Sequence, residues 1–258
     1  MVSMKDSNII DITKVVSLKN KPASSVASDR VNTGIPGFDD ILNGGIPRGS
    51  TVLIAGTAGT GKTILSSQFL YTGVVKYKEP GVYLSLEESP ESIKKNNLKF
   101  GMDMGHLEST GQFSFVKYDP YHVDDLATHL EGKIREMKAK RVVIDSISAL
   151  KFYLREETNY RRMMFNIMNT LKRLGCTSFI ISEIPVGSTG LSREGMAEFI
   201  SDAAVVLYYS RVDSSFTRAV QVWKMRGSGH SESLHPYKIT KTGVVVYPKE
   251  EAFIDVKH

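Results

Sequence analysis

The chain is organised around the stretch Gly56-Thr57-Ala58-Gly59-Thr60-Gly61-Lys62-Thr63. It fits the pattern Gly, any four residues, then Gly, Lys and Ser or Thr. The apolar run at 51–55 predicts a buried strand leading into it, and the run from Ile64 to Lys78 predicts a helix leaving it. A glycine-rich loop in this setting curls its backbone N–H groups around phosphate oxygens. The setting therefore favours a phosphate-binding loop over a glycine-rich turn that matches by chance.

Each part of this loop predicts a contact with a bound nucleotide. The glycines let the backbone approach closely, and the following helix points its positive N-terminal end at the same place. Lys62 is expected to reach the terminal phosphates, and the hydroxyl of Thr63 is expected to ligate Mg²⁺. The nucleotide contacts predicted in this part of the chain are Thr57, Ala58, Gly59, Thr60, Gly61, Lys62, Thr63 and Ile64.

The composition is that of an ordinary globular protein. Of the 258 residues, 41% are hydrophobic and 24% are charged, and one α/β domain spanning 31–258 can absorb them. Residues 1–30 predict a flexible tail, or an arm that docks on a neighbouring subunit. The single cysteine, Cys176, excludes an internal disulfide and fits a cytoplasmic protein. We expect no membrane partner, because no apolar run is long enough to span a bilayer.

Short apolar strands alternate with helices along most of the chain. Strands are predicted at 81–86, 112–116, 141–145 and 177–182, and amphipathic helices at 123–137 and 163–174. This order predicts an α/β fold with a mostly parallel sheet covered by helices on both faces. After residue 201 the runs 203–209, 218–225, 236–240 and 243–247 follow one another through short turns. They predict antiparallel strands that extend one edge of the sheet.

Acidic residues stand where two of the predicted strands end, which is where ligands bind in open α/β sheets. Asp145 closes one strand and is predicted to orient Mg²⁺, although a helix cap is the alternative for a single aspartate there. Glu87 and Glu88 end another strand and are candidate bases for the water that hydrolysis requires. One of the two glutamates has a second interpretation, as a cap of the helix that begins near Ser89.

Several further motifs accompany the phosphate loop in this sequence. They are Leu-Glu-Glu-Ser at 86–89, Val-Ile-Asp-Ser at 143–146, Glu-Phe-Ile-Ser-Asp at 198–202 and Lys-Met-Arg-Gly-Ser-Gly-His at 224–230. In this combination the sequence from about 33 to 248 resembles the KaiC family, a branch of the RecA-like P-loop ATPases. The resemblance implies a homo-oligomeric ring, usually a hexamer, with ATP and Mg²⁺ held between subunits. It also implies that Glu87 and Glu88 are the catalytic glutamates.

The resemblance further implies which residues reach the nucleotide from outside the loop. Lys99 marks the stretch where related proteins contact the adenine side, and Arg226 is expected to act on the terminal phosphate as a catalytic residue from the next subunit. The contacts expected from the neighbouring subunit are Lys224, Met225, Arg226, Ser228, His230, Thr240 and Lys241.

Three departures from the family pattern bear on function. The clock proteins of the family carry two such domains, whereas this chain has one. Glu198-Phe199 stands where self-phosphorylating domains have a Ser-Thr pair, so autokinase activity is not expected. Glu183 stands where recombinases and helicases often place a glutamine that couples the ATP state to DNA, so coupling to DNA is not favoured.

Three functions compete on these grounds. The first is a ring-forming ATPase that regulates or signals through protein partners, which the sequence does not identify. The second is a DNA-engaged motor or recombinase, suggested by Lys133, Arg135 and Lys138, although Glu131 and Glu136 are interleaved with them. The third is a scaffold that binds nucleotide without hydrolysing it. Motif and charge patterns favour the first.

The run 220–226 carries the two cations expected to act between subunits. Alternation along a strand predicts that Lys224 and Arg226 project together with Val222, while Trp223 and Met225 project from the other face. Charges that protect a solvated edge strand are the alternative explanation. In the functional interpretation Arg226 resembles an arginine finger.

Overall fold

The computed structural model describes residues 29–118, 125–154, 156–185, 190–192, 195–212 and 215–253. The predicted tail or arm at 1–30 therefore lies outside the described residues except for its last two. The strands are β1 (Arg30–Val31), β2 (Ile46–Pro47), β3 (Thr51–Gly56), β4 (Gly81–Ser85), β5 (Phe113–Lys117), β6 (Arg141–Asp145), β7 (Thr177–Glu183), β8 (Ala203–Val212), β9 (Ser215–Met225), β10 (His235–Thr240) and β11 (Gly243–Val246).

The helices follow the predicted order, with ends that move by a few residues. Ser89 caps α3 as predicted, because its hydroxyl accepts a hydrogen bond from the Ser92 N–H at 3.3 Å, and Pro90 starts the helix. The helices are α1 (Phe38–Ile41), α2 (Lys62–Tyr77), α3 (Pro90–Leu98), α4 (Met104–Ser109), α5 (Leu126–Met137), α6 (Ile147–Tyr153), α7 (Glu157–Arg173) and α8 (Ala197–Ile200).

The main sheet has the order β11-β10-β9-β8-β3-β7-β6-β4-β5 among the described residues. The strands from β8 to β5 run parallel to their neighbours, and β9, β10 and β11 continue the sheet as antiparallel strands. The predicted mixed sheet is thus confirmed, with one correction. β8 was expected among the antiparallel strands but lies parallel to β3. The reason is that the chain returns to the start of β3 before β8 begins. The N–H of Asp202, just before β8, donates to the carbonyl of Thr51, the first residue of β3, at 2.9 Å.

Alternate residues of the parallel strands face two separate core layers. Leu53 and Ala55 pack against one layer, which α5, α6 and α7 cover, whereas Val52 and Ile54 pack against the other, which α1 and α2 cover. Strands that are buried on both faces are almost wholly apolar, as in β3. The loop at the carboxyl end of β3 is therefore mounted on a strand that packing fixes from both sides.

The predicted alternation along 220–226 is wrong. Val222 pairs with Val205 and Lys224 pairs with Ala204, so Trp223 is the extra residue of a β-bulge. Val222 and Met225, three residues apart, consequently pack into the same core layer. Lys224 and Arg226 still lie close together, but the bulge rather than simple alternation turns both away from the core.

Candidate active site

The phosphate loop connects the end of β3 to the first residue of α2, and its glycines are required by close packing. A Cβ on Gly56 would lie 2.6 Å from the Leu207 carbonyl oxygen, and one on Gly61 would lie 2.7 Å from Cδ1 of Ile239. Gly61 also has a φ of 87°, in the region that favours glycine. The cradle is therefore shaped for backbone N–H groups to line it, which fits a bound phosphate chain.

Lys62 lies inside this loop. Its Nζ donates to the carbonyl oxygens of Gly56 at 2.8 Å and Thr57 at 2.9 Å, and the residue is only 8% exposed. Burial lowers the pKa of Lys62, while the carboxylates of Glu183 and Asp145 oppose the shift. The cation is held at the place where the sequence predicted contact with phosphates.

Thr63 and Asp145 meet as the sequence predicted for a magnesium pair. The Thr63 hydroxyl donates to Asp145 Oδ2 at 2.9 Å, and the buried Tyr83 hydroxyl donates to the same oxygen at 2.6 Å. Burial raises the pKa of Asp145, whereas the two hydrogen bonds act in the opposite direction. Burial, together with the charge and hydrogen bond of Asp145, also raises the pKa of Tyr83. Sequence reasoning missed Tyr83, although a tyrosine in a buried strand needs a partner for its hydroxyl.

Glu87 and Glu88 have different surroundings. Glu88 Oε1 accepts hydrogen bonds from the Ser92 hydroxyl at 2.6 Å and from Asn96 Nδ2 at 3.3 Å, so Glu88 is tied to α3. Glu87 lines the cavity, and burial raises its pKa, followed by the charges of Glu183 and Asp145. Both glutamates line the cavity, and they differ in that only Glu88 is hydrogen-bonded to α3 among the described residues.

A cavity of about 520 Å³ lies between the phosphate loop, Glu87, Asp145 and the ends of β7 and β10. It is lined by acids on one side and by the loop on the other. Its lining also includes five residues that the sequence did not predict as contacts, namely Ser146, Ile181, Glu183, Arg218 and Ile239. They come from strands far apart in sequence, so only the folded sheet brings them together.

Arg218 is the main cation of this cavity that sequence reasoning missed. Its guanidinium donates to the Gly59 carbonyl oxygen at 3.0 Å from Nη2 and 3.3 Å from Nε. The same group stacks over the Tyr209 ring, with 4.2 Å between Cζ and the ring centroid. In the sequence Arg218 stands out only as one polar position of a predicted strand.

The Lys99 region adjoins the main cavity. A second cavity of about 290 Å³ is lined by Ile64, Asn97, Lys99 and Phe100, and both cavities border Thr63, Ile64 and Glu88. Its lining is more apolar than that of the main cavity. The two predicted contacts Ile64 and Lys99 therefore lie on one continuous surface that starts at the phosphate loop.

Lys224 and Arg226 lie at the opposite end of the sheet from the phosphate loop. Met225 pairs with Ala203, at the start of β8, whereas Gly56 pairs with Leu207, four residues further along β8. At about 3.3 Å per residue the ends are separated by roughly 13 Å along the strand. Lys224 Nζ donates to the Ser201 carbonyl at 2.7 Å, and Arg226 Nη2 to the Phe199 carbonyl at 2.7 Å. Neither side chain is placed to reach this chain's own loop.

The rest of the motif at 224–230 is anchored within the chain. Met225 is buried in the core, and the Ser228 hydroxyl accepts a hydrogen bond from Arg30. His230 Nδ1 lies 2.9 Å from the Ser231 carbonyl oxygen. Five contacts were predicted in this motif. Of these, Lys224 and Arg226 have side chains that lie together at the end of the sheet opposite the loop. The side chain of Met225 is buried in the core and does not join them.

Thr240 and Lys241 do not lie with Lys224 and Arg226, although all four were predicted as contacts from the neighbouring subunit. Thr240 is the last residue of β10 and Lys241 begins the turn to β11, next to Ile239, which packs against Gly61 of the same chain. Tyr237, on the same strand, donates its hydroxyl proton to the Thr60 carbonyl. The structure thus places Thr240 beside this chain's own phosphate loop and not at the end that carries Lys224.

The basic residues of α5 are paired with acids. Lys133 Nζ lies 3.0 Å from Glu136, and Glu131 binds both Arg135 at 2.8 Å and Arg173 at 2.5 Å. Hydrogen bonds from Arg173 and Arg135 lower the pKa of Glu131 to about 2. Ion pairing of this kind leaves little free positive charge on the helix for an anionic partner.

The described residues hold no cluster of three or more His, Cys, Asp or Glu side chains that could bind a metal ion. Thr63 and Asp145 would therefore hold Mg²⁺ only together with phosphate oxygens and water, which is how Mg²⁺ commonly binds at nucleotide sites.

None of the helices in the described part of the chain combines the length and the apolar character needed to cross a bilayer.

Comparison with known proteins identifies relatives across the whole described domain. The family model for the KaiC ATPase matches residues 31–251. A "UPF0273 protein" of Thermotoga maritima is 41% identical over 238 residues, which are 86% of this chain and 97% of the relative. The circadian clock oscillator protein KaiC of Parathermosynechococcus lividus is 35% identical over 84% of this chain, but the match covers only 42% of that longer protein.

A solved structure gives the same answer for the fold. The KaiC-like protein of Pyrococcus horikoshii superposes with a TM-score of 0.80 at 37% identity, over 86% of this chain and all of the other. The mixed sheet, the loop at the end of β3 and the antiparallel strands at one edge thus form an arrangement with a known counterpart.

Proposed function

The chain belongs to the KaiC family of ATPases, and from this premise we propose that it binds MgATP at the phosphate loop and hydrolyses it. The observation that carries the proposal is the convergence of Lys62, the Thr63–Asp145 pair and Glu87 on one cavity. These are the cation, the metal-orienting pair and the base that phosphoryl transfer to water requires.

Each residue has a part in the proposed reaction. Lys62 binds the terminal phosphates, and Thr63 and Asp145 hold Mg²⁺, which would neutralise charge on the phosphate oxygens. Glu87 takes a proton from the attacking water; both glutamates line the cavity, but the carboxylate of Glu88 is already bonded to α3. Lys99 and Ile64 border the cavity that would receive the nucleoside. Thr240 and Lys241 follow Ile239, which lines the phosphate-loop cavity of the same chain.

We further propose that the site is completed by a second copy of this chain in a ring, with a hexamer as the expected size. Lys224 and Arg226 project from the end of the sheet opposite to the loop, so the only phosphate they can reach is one bound to a neighbour. Arg226 would act there as an arginine finger, assisted by Lys224, and Ser228 and His230 would complete the contact. Nucleotide that bridges two copies favours the assembled state.

The proposed ring is regulatory or signalling, with protein partners, and not a DNA motor. Lys133 and Arg135, two of the three basic residues that suggested nucleic acid, are engaged in ion pairs with Glu136 and Glu131. With Glu198-Phe199 at the acceptor position of the self-phosphorylating relatives, the chain also lacks a hydroxyl acceptor there. The expected product is therefore free phosphate and not phosphoprotein.

The test combines phosphate release with native mass measurement. We expect Mg²⁺-dependent phosphate release from ATP, and a shift from small species to a ring when ATP is added. Nucleotide binding without phosphate release would instead support the scaffold alternative. Tight, steeply salt-dependent binding to single- or double-stranded DNA would support the motor alternative, because phosphate contacts release counterions.

A further inference from the structure

Glu183 is the carboxylate of the cavity that the proposed reaction has not used. It is the last residue of β7 and pairs in register with Gly56, where β3 gives way to the phosphate loop. Its N–H donates to the Ser148 hydroxyl at 2.9 Å, and the next N–H, of Ile184, donates to the Gly56 carbonyl at 3.1 Å. The backbone is thus fixed on both sides of the residue, and its exposed side chain lines the cavity.

Glu183 acts electrostatically on the two groups that flank the reacting phosphate. After burial, the charge of Glu183 is the largest cause of the raised pKa of Glu87. Burial lowers the pKa of Lys62, and of the charges that oppose this shift the charge of Glu183 is the largest. All three residues line the same cavity. Within the part of the chain that the structure describes, no side chain bonds its carboxylate.

A buried hydroxyl lies at the same end of the cavity. Ser146 is 1% exposed and lines the cavity, and its hydroxyl makes no hydrogen bond of ordinary geometry among the described residues. It lies near the carboxylate of Glu87, whose pKa it acts to lower. Buried hydroxyls in proteins nearly always bond something, commonly an ordered water. This end of the cavity is therefore chemically suited to hold a water molecule.

We propose that Glu183 is a second hydrogen-bond acceptor for the water that attacks the terminal phosphate, beside Glu87. The inference rests on the proposed function and deepens it. Water has two O–H groups, and when both point to acceptors a lone pair is left to face phosphorus. The oxygen–phosphorus bond then forms while the bridging oxygen leaves on ADP. One water proton passes to Glu87 and the other stays on the released phosphate, so Glu183 orients the water without taking a proton.

The test compares two substitutions that both remove the charge of Glu183. Glu183→Met has a similar length but no acceptor, whereas Glu183→Gln keeps an acceptor oxygen. We expect kcat to fall by about 10- to 100-fold in Glu183→Met, the scale of effect that misplacing a reactant produces. Glu183→Gln should keep most of the activity. ADP affinity should be unchanged in both, which also reports that both variants fold.

Other outcomes would overturn the proposal. Equal loss in Glu183→Met and Glu183→Gln would assign the effect to charge, and a lowered KM with unchanged kcat in both would assign Glu183 to repulsion of the phosphates. Wild-type kcat in both variants would leave Glu183 no part in the reaction. Glu136→Gln, on the exposed surface of α5, is the matched control and should behave as wild type. The two proposals fail in different ways. If the wild-type chain releases no phosphate, the proposed function itself is wrong, whereas the Glu183 variants test only the role of Glu183.

Discussion

The two ends of the central sheet differ in charge and in completeness. At the end where β3 meets the phosphate loop, Glu87, Asp145 and Glu183 border a cavity that also holds Lys62. At the other end, Lys224 and Arg226 donate to backbone carbonyls, and neither forms an ion pair among the described residues. Burial and the nearby charge of Arg226 lower the pKa of Lys224, while the carboxylates of Asp202 and Glu198 oppose the shift. The two ends therefore differ in which charge lines them most densely.

Under the proposed function, this difference is the reason that we expect two copies of the chain to complete one active site. Lys224 and Arg226 are close cations, with Asp202 and Glu198 as the nearby carboxylates. The phosphate-loop cavity has Lys62 and Arg218 to offset its own carboxylates and a bound triphosphate. A head-to-tail interface repeats around a closed ring and brings unlike ends together at every junction. The following variants are directed at one end or the other, and the expected effects decrease from first to last.

The largest effect is expected at the phosphate end, from Glu87→Gln. The substitution keeps the size of the side chain but removes the base, so kcat should fall by about 10²-fold or more. ATP affinity, measured by equilibrium binding, should stay near the wild-type value. Glu88→Gln is the matched control, since Glu88 is bonded to α3, and it should cost much less. If the two variants lost activity equally, the structural distinction between the glutamates would not hold.

The next effect concerns binding at the same end. Lys62→Ala removes a buried cation from the phosphate cradle, and hydrogen bonds to charged groups contribute about 1.5–3 kcal/mol each. We expect ATP affinity to fall by roughly 10- to 100-fold, which isothermal titration calorimetry measures. Arg226→Ala, at the other end of the sheet, should leave the affinity of the unassembled chain unchanged. Undiminished ATP affinity in Lys62→Ala would remove the basis of the site assignment.

The sequence predicts one end of the sheet better than the other, and the reason is physical. The phosphate loop, Thr63 and Lys62 are contiguous, and Asp145 follows from a strand end, so local patterns suffice. Glu183 and Arg218 join the cavity only through the strand order of the sheet. The bulge at Trp223 reverses the faces of 223–226 through pairing with β8, which no alternation pattern within the strand reveals.

The third prediction is a pH dependence at the phosphate end. Burial and the charges of Glu183 and Asp145 raise the pKa of Glu87 above the ordinary value of 4.5. A base must be deprotonated, so kcat should fall as the pH drops through this raised pKa, by about tenfold per unit below it. Glu183→Gln should move the acid limb of the pH–rate profile to lower pH, because it removes a neighbouring negative charge. A limb that stayed in place would mean that another group titrates.

The last prediction has the smallest expected effect, but it tests the two ends of the sheet most directly. It is a mixing experiment in which activity requires one intact end from each of two chains. Lys62→Ala lacks the cradle but keeps Arg226, whereas Arg226→Ala keeps the cradle but lacks the finger, so each protein alone should be inactive. In rings formed from an equal mixture, roughly one junction in four joins an intact cradle to an intact finger.

Phosphate release should therefore recover to about a quarter of the wild-type rate if junctions act independently. A control mixture replaces the Arg226→Ala chain with Lys172→Ala. Lys172 is a cation at the same end of the sheet as Arg226, but it pairs with Asp202 of its own chain at 3.3 Å. That mixture should turn over because Lys172→Ala chains keep both halves of the site. If subunits exchange by native mass measurement and the first mixture stays inactive, the two ends of the sheet do not meet across a junction. In that case the cations at 224 and 226 would serve only the solvated edge of the sheet.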